Sequence, residues 1–174
     1  MAILPLIYGP DEIFSKIAMP VKLVDNAIRS LVNDMFETMY HEHAIGMGAN
    51  MVGILQRIVV IDLQENGTRK PYALINPEII WHSDEIQKFN EASICFPGIS
   101  AEITRPKAIR VSYLDCDGAP RGLEAEGYFS TVIQHEVDYL NGKIFLDYLS
   151  KMKKDMLLKK MKKNSSAPSS TSRP

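Results

Sequence analysis

The sequence predicts an α+β fold of short strands and separate helices, with a further helix near the C-terminal end. Three observations lead there. Ile28, Leu31, Val32, Met35 and Met39 fall on one helical face. Six short strand-like runs then follow one another between Arg57 and Leu114 with no helix-length segment among them. A second helical repeat, Phe129, Val132, Ile133, Val137 and Leu140, comes only after those strands. Strands and helices in separate stretches point to α+β and away from a βαβ series.

Taken in order, residues 1–21 are irregular, because Pro5, Pro10 and Pro20 interrupt any long element. Asp25 or Asn26 caps a first helix that runs to about His41. Gly46-Met47-Gly48 reads as a loop. The strand-like runs are Arg57–Leu63, Tyr72–Ile75, Glu78–Trp81, Ile86–Asn90, Ile99–Ile103 and Lys107–Leu114. Asp117-Gly118 is a turn signal leading into the next strand. The second helix is expected over about Ser130–Asn141, with Gly142 in the C′ position. A third, amphipathic helix is expected over about Tyr148–Lys163. The tail NSSAPSSTSRP is rich in Ser and Pro and is expected to be disordered. Residues 1–150 therefore read as one domain, 151–163 as a basic C-terminal helix, and 164–174 as a disordered tail.

The chain has 174 residues, 45% of them apolar and 24% charged, which suits a single domain with a real core. The net charge of −1 gives no sign of nucleic-acid binding by the molecule as a whole. Its distribution is uneven: residues from Lys151 onward carry +7, which leaves −8 on residues 1–150. Cys95 and Cys116 are too few and too irregularly spaced for a disulfide framework. The N-terminal segment has neither a basic n-region nor an apolar h-region. No stretch approaches the roughly 18 apolar residues that span a bilayer, so no membrane association is expected. A reducing cytoplasm is the expected location.

The sharpest local signal is His135-Glu136-Val137-Asp138-Tyr139. In an HExxH helix two imidazoles one turn apart hold one metal, and the Glu between them takes a proton from the metal-bound water. Here the second imidazole position is Tyr139. A lone His-Glu pair is most often a satisfied core or surface pair. One imidazole does not hold catalytic zinc, and a phenol with a reference pKa near ~10 must ionise to bind well. Local chemistry alone does not make this a metal site.

Several segments together resemble the peptide deformylase family. QHEVDYLNGKIFLD at 134–147 is similar to the family's QHExDHLxGxLFxD, and EASICFPG at 91–98 to its EGCLSxPG. GMGANMVGILQRIVVID at 46–62 resembles GxGLAAxQVGxxxRxxxxD, shortened by about two residues; ILPLIYGPDE and MFETMY also fit. The likeness runs in order from residue 2 to about 150 and implies a peptide deformylase-like arrangement, short antiparallel strands around a central HExxH-type helix with an additional C-terminal helix. It implies a metal-dependent amide hydrolase that removes formyl from the initiator Met of new bacterial or organellar proteins. In such an enzyme one Cys and two His hold a divalent ion, and its water attacks the formyl carbonyl. A Glu handles the proton, while a Gln and a backbone N–H stabilise the oxyanion.

Carried onto this sequence, the Cys ligand falls on Ser93, the first His is His135 and the second His falls on Tyr139. The general-base position is Glu136. The oxyanion Gln falls on Met51 if the gap precedes Ala49, and the Gly of EGCLS is Ala92. Glu91 and Arg105 stand where the family has a structural ion pair, and Pro97-Gly98 follows the strand. Changes to the groups that hydrogen-bond to a metal's ligands typically cost ~10–100-fold in metal affinity or activity, and two lost ligands cost more. Losing one oxyanion donor costs on the order of 10²–10³ in turnover. The expectation is a catalytically impaired or inactive protein with a vestigial base and no cofactor. The alternative is an active deformylase with a remodelled site holding one iron, zinc or nickel ion.

Cys95 could rescue the ligand set only through a local bulge, since i and i+2 in a strand lie about 6.5 Å apart; it reads instead as a small buried apolar residue. His41 and His43 read as polar residues at a helix end. For partners, the resemblance implies an N-terminal peptide in the groove. Some family members touch the ribosome through a C-terminal helix, which implies ribosome or RNA contact here. Seven lysines among residues 151–163 suit phosphates; the competing reading is a solvated helix packed by its Met/Leu stripe.

Overall fold

The computed structural model describes residues 2–166. Helix α1, Asn26–His41, opens with the Asp25 carboxylate accepting from the Ile28 N–H at 3.0 Å. It buries Ile28, Val32, Met35 and Met39, the face expected from their spacing. Seven strands follow, β1 Gly46–Gly48, β2 Ile58–Ile61, β3 Tyr72–His82, β4 Ile86–Ser93, β5 Phe96–Pro106, β6 Ala108–Leu114 and β7 Pro120–Glu126. Helix α2, Tyr128–Leu140, a 3-10 turn at Phe145–Tyr148 and helix α3, Lys151–Ser166, complete the order.

All strand pairs are antiparallel. One sheet runs β1-β2-β3-β6-β7, and β4 and β5 form a separate two-stranded sheet. Helix α2 lies between two apolar clusters. Val132, Ile133, Val137 and Leu140 join one, with Val59, Ile61 and Leu74. Tyr139 joins the other, with Met35, Met47, Phe96 and Phe145. Almost every α2 side chain from Ser130 onward is therefore buried, including Gln134, His135 and Glu136.

Three expectations are corrected. Gly46-Met47-Gly48, read as a loop, is edge strand β1, paired with β2. Its glycines hide the alternation that marks a strand. The runs Tyr72–Ile75 and Glu78–Trp81 are one strand. Asn76 interrupts it with φ +51, and its side chain bonds both backbone groups of Val21, at 2.8 and 2.9 Å. Those two bonds stabilise a conformation that costs a non-glycine residue free energy. Third, α3 begins at Lys151, because Tyr148 belongs to the preceding 3-10 turn, and it continues three residues past Lys163. Residues 164–166 of the expected tail are thus helical, and the remainder of that tail lies outside the described residues. Met161 is buried and Leu157 and Leu158 are partly buried, packing α3 on the domain as the apolar stripe predicted.

Candidate active site

Helix α2 brings His135 and Glu136 to one end of a cleft, and the end of β4 brings Ser93 beside them, with Tyr139 buried behind. Ile94 and Cys95 form the turn of the β4–β5 hairpin, and the register shifts between Glu91 and Ser93. The cleft has a volume of about 480 Å³. It opens between the start of β1 and the end of β4. Ile45, Gly46, Met51, Ala92, Ser93, Ile94, His135 and Glu136 line it, with Tyr8, Glu42 and His43 at its wall.

His135 is held from behind. Its Nδ1 lies 2.8 Å from Glu91 Oε1. A carboxylate already bound by a guanidinium can only accept, so Nδ1 carries the proton of this hydrogen bond. Glu91 in turn takes two hydrogen bonds from Arg105, at 2.7 and 2.9 Å. Arg105 also donates to Asp138 at 2.8 Å and to the Tyr148 hydroxyl at 3.1 Å, while Tyr148 donates to Asp138 at 2.6 Å. Burial would raise the Glu91 pKa, but His135 and the Arg105 fork outweigh it and hold the carboxyl below its ordinary value. The sequence pointed to Glu91 and Arg105. It did not single out Asp138 and Tyr148, although Asp138 matches the D of the QHExDHLxGxLFxD pattern.

Glu136 is 4% exposed, and its Oε2 has no hydrogen-bond partner among the described residues. Burial pushes its carboxyl up to about 7, with His135 opposing the rise. Its Oε1 stands 4.0 Å from His135 Nε2. A Cβ at Gly46 would lie 3.0 Å from that same oxygen, a tight contact, so β1 passes close over the carboxylate.

Tyr139 is fully buried, its ring edge-on to Phe14 at 5.4 Å. Its hydroxyl donates to Ser93 Oγ at 2.7 Å. Burial holds this phenol well above its ordinary pKa, so it is neutral. Ser93 Oγ also accepts from the Cys95 N–H at 3.2 Å. Asn50 donates to the Tyr139 carbonyl at 2.7 Å and so ties the helix to the 3-10 turn after β1. The Cys95 thiol is fully buried and pushed up to about 12, chiefly by burial with the Glu136 charge adding to it. It belongs to the apolar cluster and does not line the cleft. His41 is exposed, 3.4 Å from Glu42; His43 is also exposed but borders the cleft.

An antiparallel α+β domain with a helix-borne His-Glu pair facing a cleft between two strand ends defines the class of molecule. The chain belongs to the polypeptide deformylase family, whose model matches residues 3–155. It is 54% identical over 159 residues to a "Peptide deformylase-like" protein of Rickettsia conorii, covering 91% of this chain and 87% of that relative. It is 42% identical over 164 residues to the "Peptide deformylase" of Bartonella henselae, covering 94% and 93%. Its fold matches the crystal structure of peptide deformylase from Ehrlichia chaffeensis with a TM-score of 0.90 at 38% identity, over 94% of this chain and 97% of that one. The same Ehrlichia enzyme in complex with actinonin matches at 0.89 and 39% identity, over 96% and 100%.

Proposed function

We propose that this chain is a peptide deformylase-like protein whose hydrolytic activity is lost or severely impaired, and that it retains the cleft as a binding site for the N-terminal end of a peptide. The single observation that carries this reading is the 2.7 Å hydrogen bond from the Tyr139 hydroxyl to Ser93 Oγ. These two residues occupy the positions where the family pattern puts a Cys and a His.

A catalytic zinc- or iron-type ion takes three protein ligands and an open water position. The donor set here is one imidazole nitrogen and two hydroxyls that satisfy each other. Ionising Tyr139 would cost more than in water, because burial disfavours the phenolate. Cys95, the one thiol nearby, is a neutral buried group behind the turn. Among the described residues no three His, Cys, Asp or Glu side chains come together as a metal would require. These donors do not fit the ion. With the gap before Ala49, the oxyanion Gln position is Met51, whose side chain has no N–H to donate. What the residues can still do is bind. Glu91 and Arg105 fix His135, Glu136 supplies an acceptor, and Ile45, Met51 and Ile94 offer apolar contact.

Elemental analysis of protein purified anaerobically, together with hydrolysis of a formyl-Met peptide in the presence of iron, nickel or zinc, tests the reading. A folded, metal-free sample without turnover is expected. Stoichiometric metal with turnover would establish the remodelled deformylase in its place.

The basic α3 supports a second role, contact with ribosomal RNA. Lys153, Lys159, Lys160 and Lys162 are exposed, and Met152 and Met156 are 82% and 59% exposed beside them. Replacing Lys153 and Lys160 by Glu keeps the packed side of the helix. It is expected to abolish a salt-sensitive ribosome co-sedimentation; salt-independent sedimentation, or none, rejects the role.

A further inference from the structure

We propose that α3 of one copy of this chain docks in a groove on the outer face of the β3-β6-β7 sheet of a second copy, beside Trp81. The groove shares no lining residue with the active-site cleft, so the contact stands whether or not the cleft holds an ion.

A bulge shapes the groove. Between Ile79 and Trp81 the pairing of β3 with β6 slips by one residue, so Ile80 and Trp81 together oppose Arg110. Both apolar side chains stand in solvent, 60% and 44% exposed. Trp81, Arg110 and Glu124 form one row across three strands. The Arg110 guanidinium lies 4.9 Å from the indole and donates to Glu124 at 2.9 Å. In the next row Ala108 faces Glu126, and its small side chain leaves a groove of about 300 Å³. Asp84 and Glu85 lie in the turn that is tied to Ala108 and Lys107. With Glu124 and Glu126 they outnumber Lys107 and Arg110 around the groove.

Exposed Trp and Ile side chains inside an acidic rim fit an apolar segment that carries positive charge. This chain has such a segment. Residues from Lys151 onward hold +7, against −8 for residues 1–150. Helix α3 packs on its own domain through Leu157, Leu158 and Met161. On its other side Met152, Met156, Lys159 and Lys163 follow at i, i+4, i+7 and i+11, all exposed. Met152 and Lys159 stand about 10.5 Å apart along the helix, and Trp81 and Glu124, two strands apart, about 9.6 Å. A helix laid across the strands therefore sets Met152 on the indole and Lys159 on Glu124 together. The existing Arg110–Glu124 pair is exposed and contributes little, so Glu124 can take a second cation. RNA phosphates would answer the lysines of α3 and leave its two exposed methionines in water.

Sedimentation velocity of the full chain over rising concentration, at low and at high salt, tests the contact. Trp81 is the single tryptophan of the chain, so its emission on the same samples reports on the groove directly. At low salt the sedimentation coefficient is expected to rise with concentration while the emission shifts to the blue. High salt is expected to reverse both. Met152→Gln with Met156→Gln keeps every lysine. This pair is expected to weaken the association about tenfold or more, and to leave any ribosome co-sedimentation unchanged. Glu124→Lys is expected to weaken it about tenfold, and Lys159→Glu in the same chain to restore it. A monomer at every concentration, association that leaves the Trp81 emission unmoved, or association indifferent to salt overturns the proposal; the wild-type chain alone decides each of these. Association that survives the methionine substitutions in a folded sample overturns it as well.

Discussion

Arg105 and Glu91 form a two-pronged ion pair, 2.7 and 2.9 Å long, with both side chains almost wholly out of solvent. That pair supports His135 from behind and links β4, β5 and α2. Arg105→Ala would leave the Glu91 carboxylate buried with the imidazole as its remaining partner. It is expected to cost about 3–5 kcal/mol, and Arg105→Lys much of that, because the fork is lost. Urea denaturation at pH 7 measures it, and a loss below about 1 kcal/mol would reject the account. The sign of the pH effect follows from the depressed Glu91 pKa. Its contribution is present above the unfolded carboxylate range, near ~4.3, and disappears as pH falls through the lower folded value.

Glu136 acts in the opposite direction. Its folded pKa, about 7, lies above the unfolded value, so the folded state holds the extra proton in between. Stability attributable to this group therefore falls as pH rises from about 4.5 to about 7, by on the order of 3 kcal/mol. Glu136→Gln, neutral and of the same shape, should be more stable than the wild type at pH 8 and about equal to it at pH 4.5. Denaturation curves of both proteins at the two pH values give the difference directly. A variant less stable at pH 8, or a gap that does not change with pH, contradicts the raised pKa.

Ser93→Cys combined with Tyr139→His should create a metal site. His135 already has its Nδ1 bonded to Glu91, the arrangement that orients a metal-ligating imidazole. About one equivalent of zinc or nickel per chain is expected by elemental analysis. With the oxyanion Gln position at Met51, whose side chain is no donor, turnover of a formyl peptide is expected to stand roughly 10²–10³-fold low, and Met51→Gln to recover part of it. A folded double variant that stays metal-free would show that more than these two positions separates the chain from metal binding.

Gly142 closes α2 with φ +74, and a Cβ there would meet the Ser15 carbonyl oxygen at 2.7 Å. Gly142→Ala must shift one backbone segment against another, in a conformation L-residues disfavour. A loss above about 2 kcal/mol is expected, which for a domain of this size lowers Tm by roughly 4–8 °C in calorimetry. An unchanged Tm would mean that the Ser15 segment yields freely.

Much of the fold was legible because it rests on local periodicity. The α1 face from Ile28 to Met39, the Asp25 cap and the Gly142 stop need only neighbouring residues to specify them. β1 was not legible, since two of its three residues are glycine and only pairing with β2 makes it a strand. The break at Asn76 was misread as the end of a strand, because the Val21 backbone that sustains it lies 55 residues away. The end of α3 was placed too early because a Ser-rich composition says little about where a packed helix frays.

The sequence by itself determined which residues could take part in chemistry. His135 and Glu136 on one helix, Tyr139 one turn on, and Ser93 in the family motif are all statements of identity and order. Only the tertiary structure decided how they meet. It pairs the Tyr139 hydroxyl with Ser93 across 46 residues, gives His135 Nδ1 to Glu91, turns Cys95 into the core and leaves Glu136 Oε2 without a partner. The reason is physical: partner choice and burial set protonation and charge, and both are fixed by contacts between segments far apart in the chain.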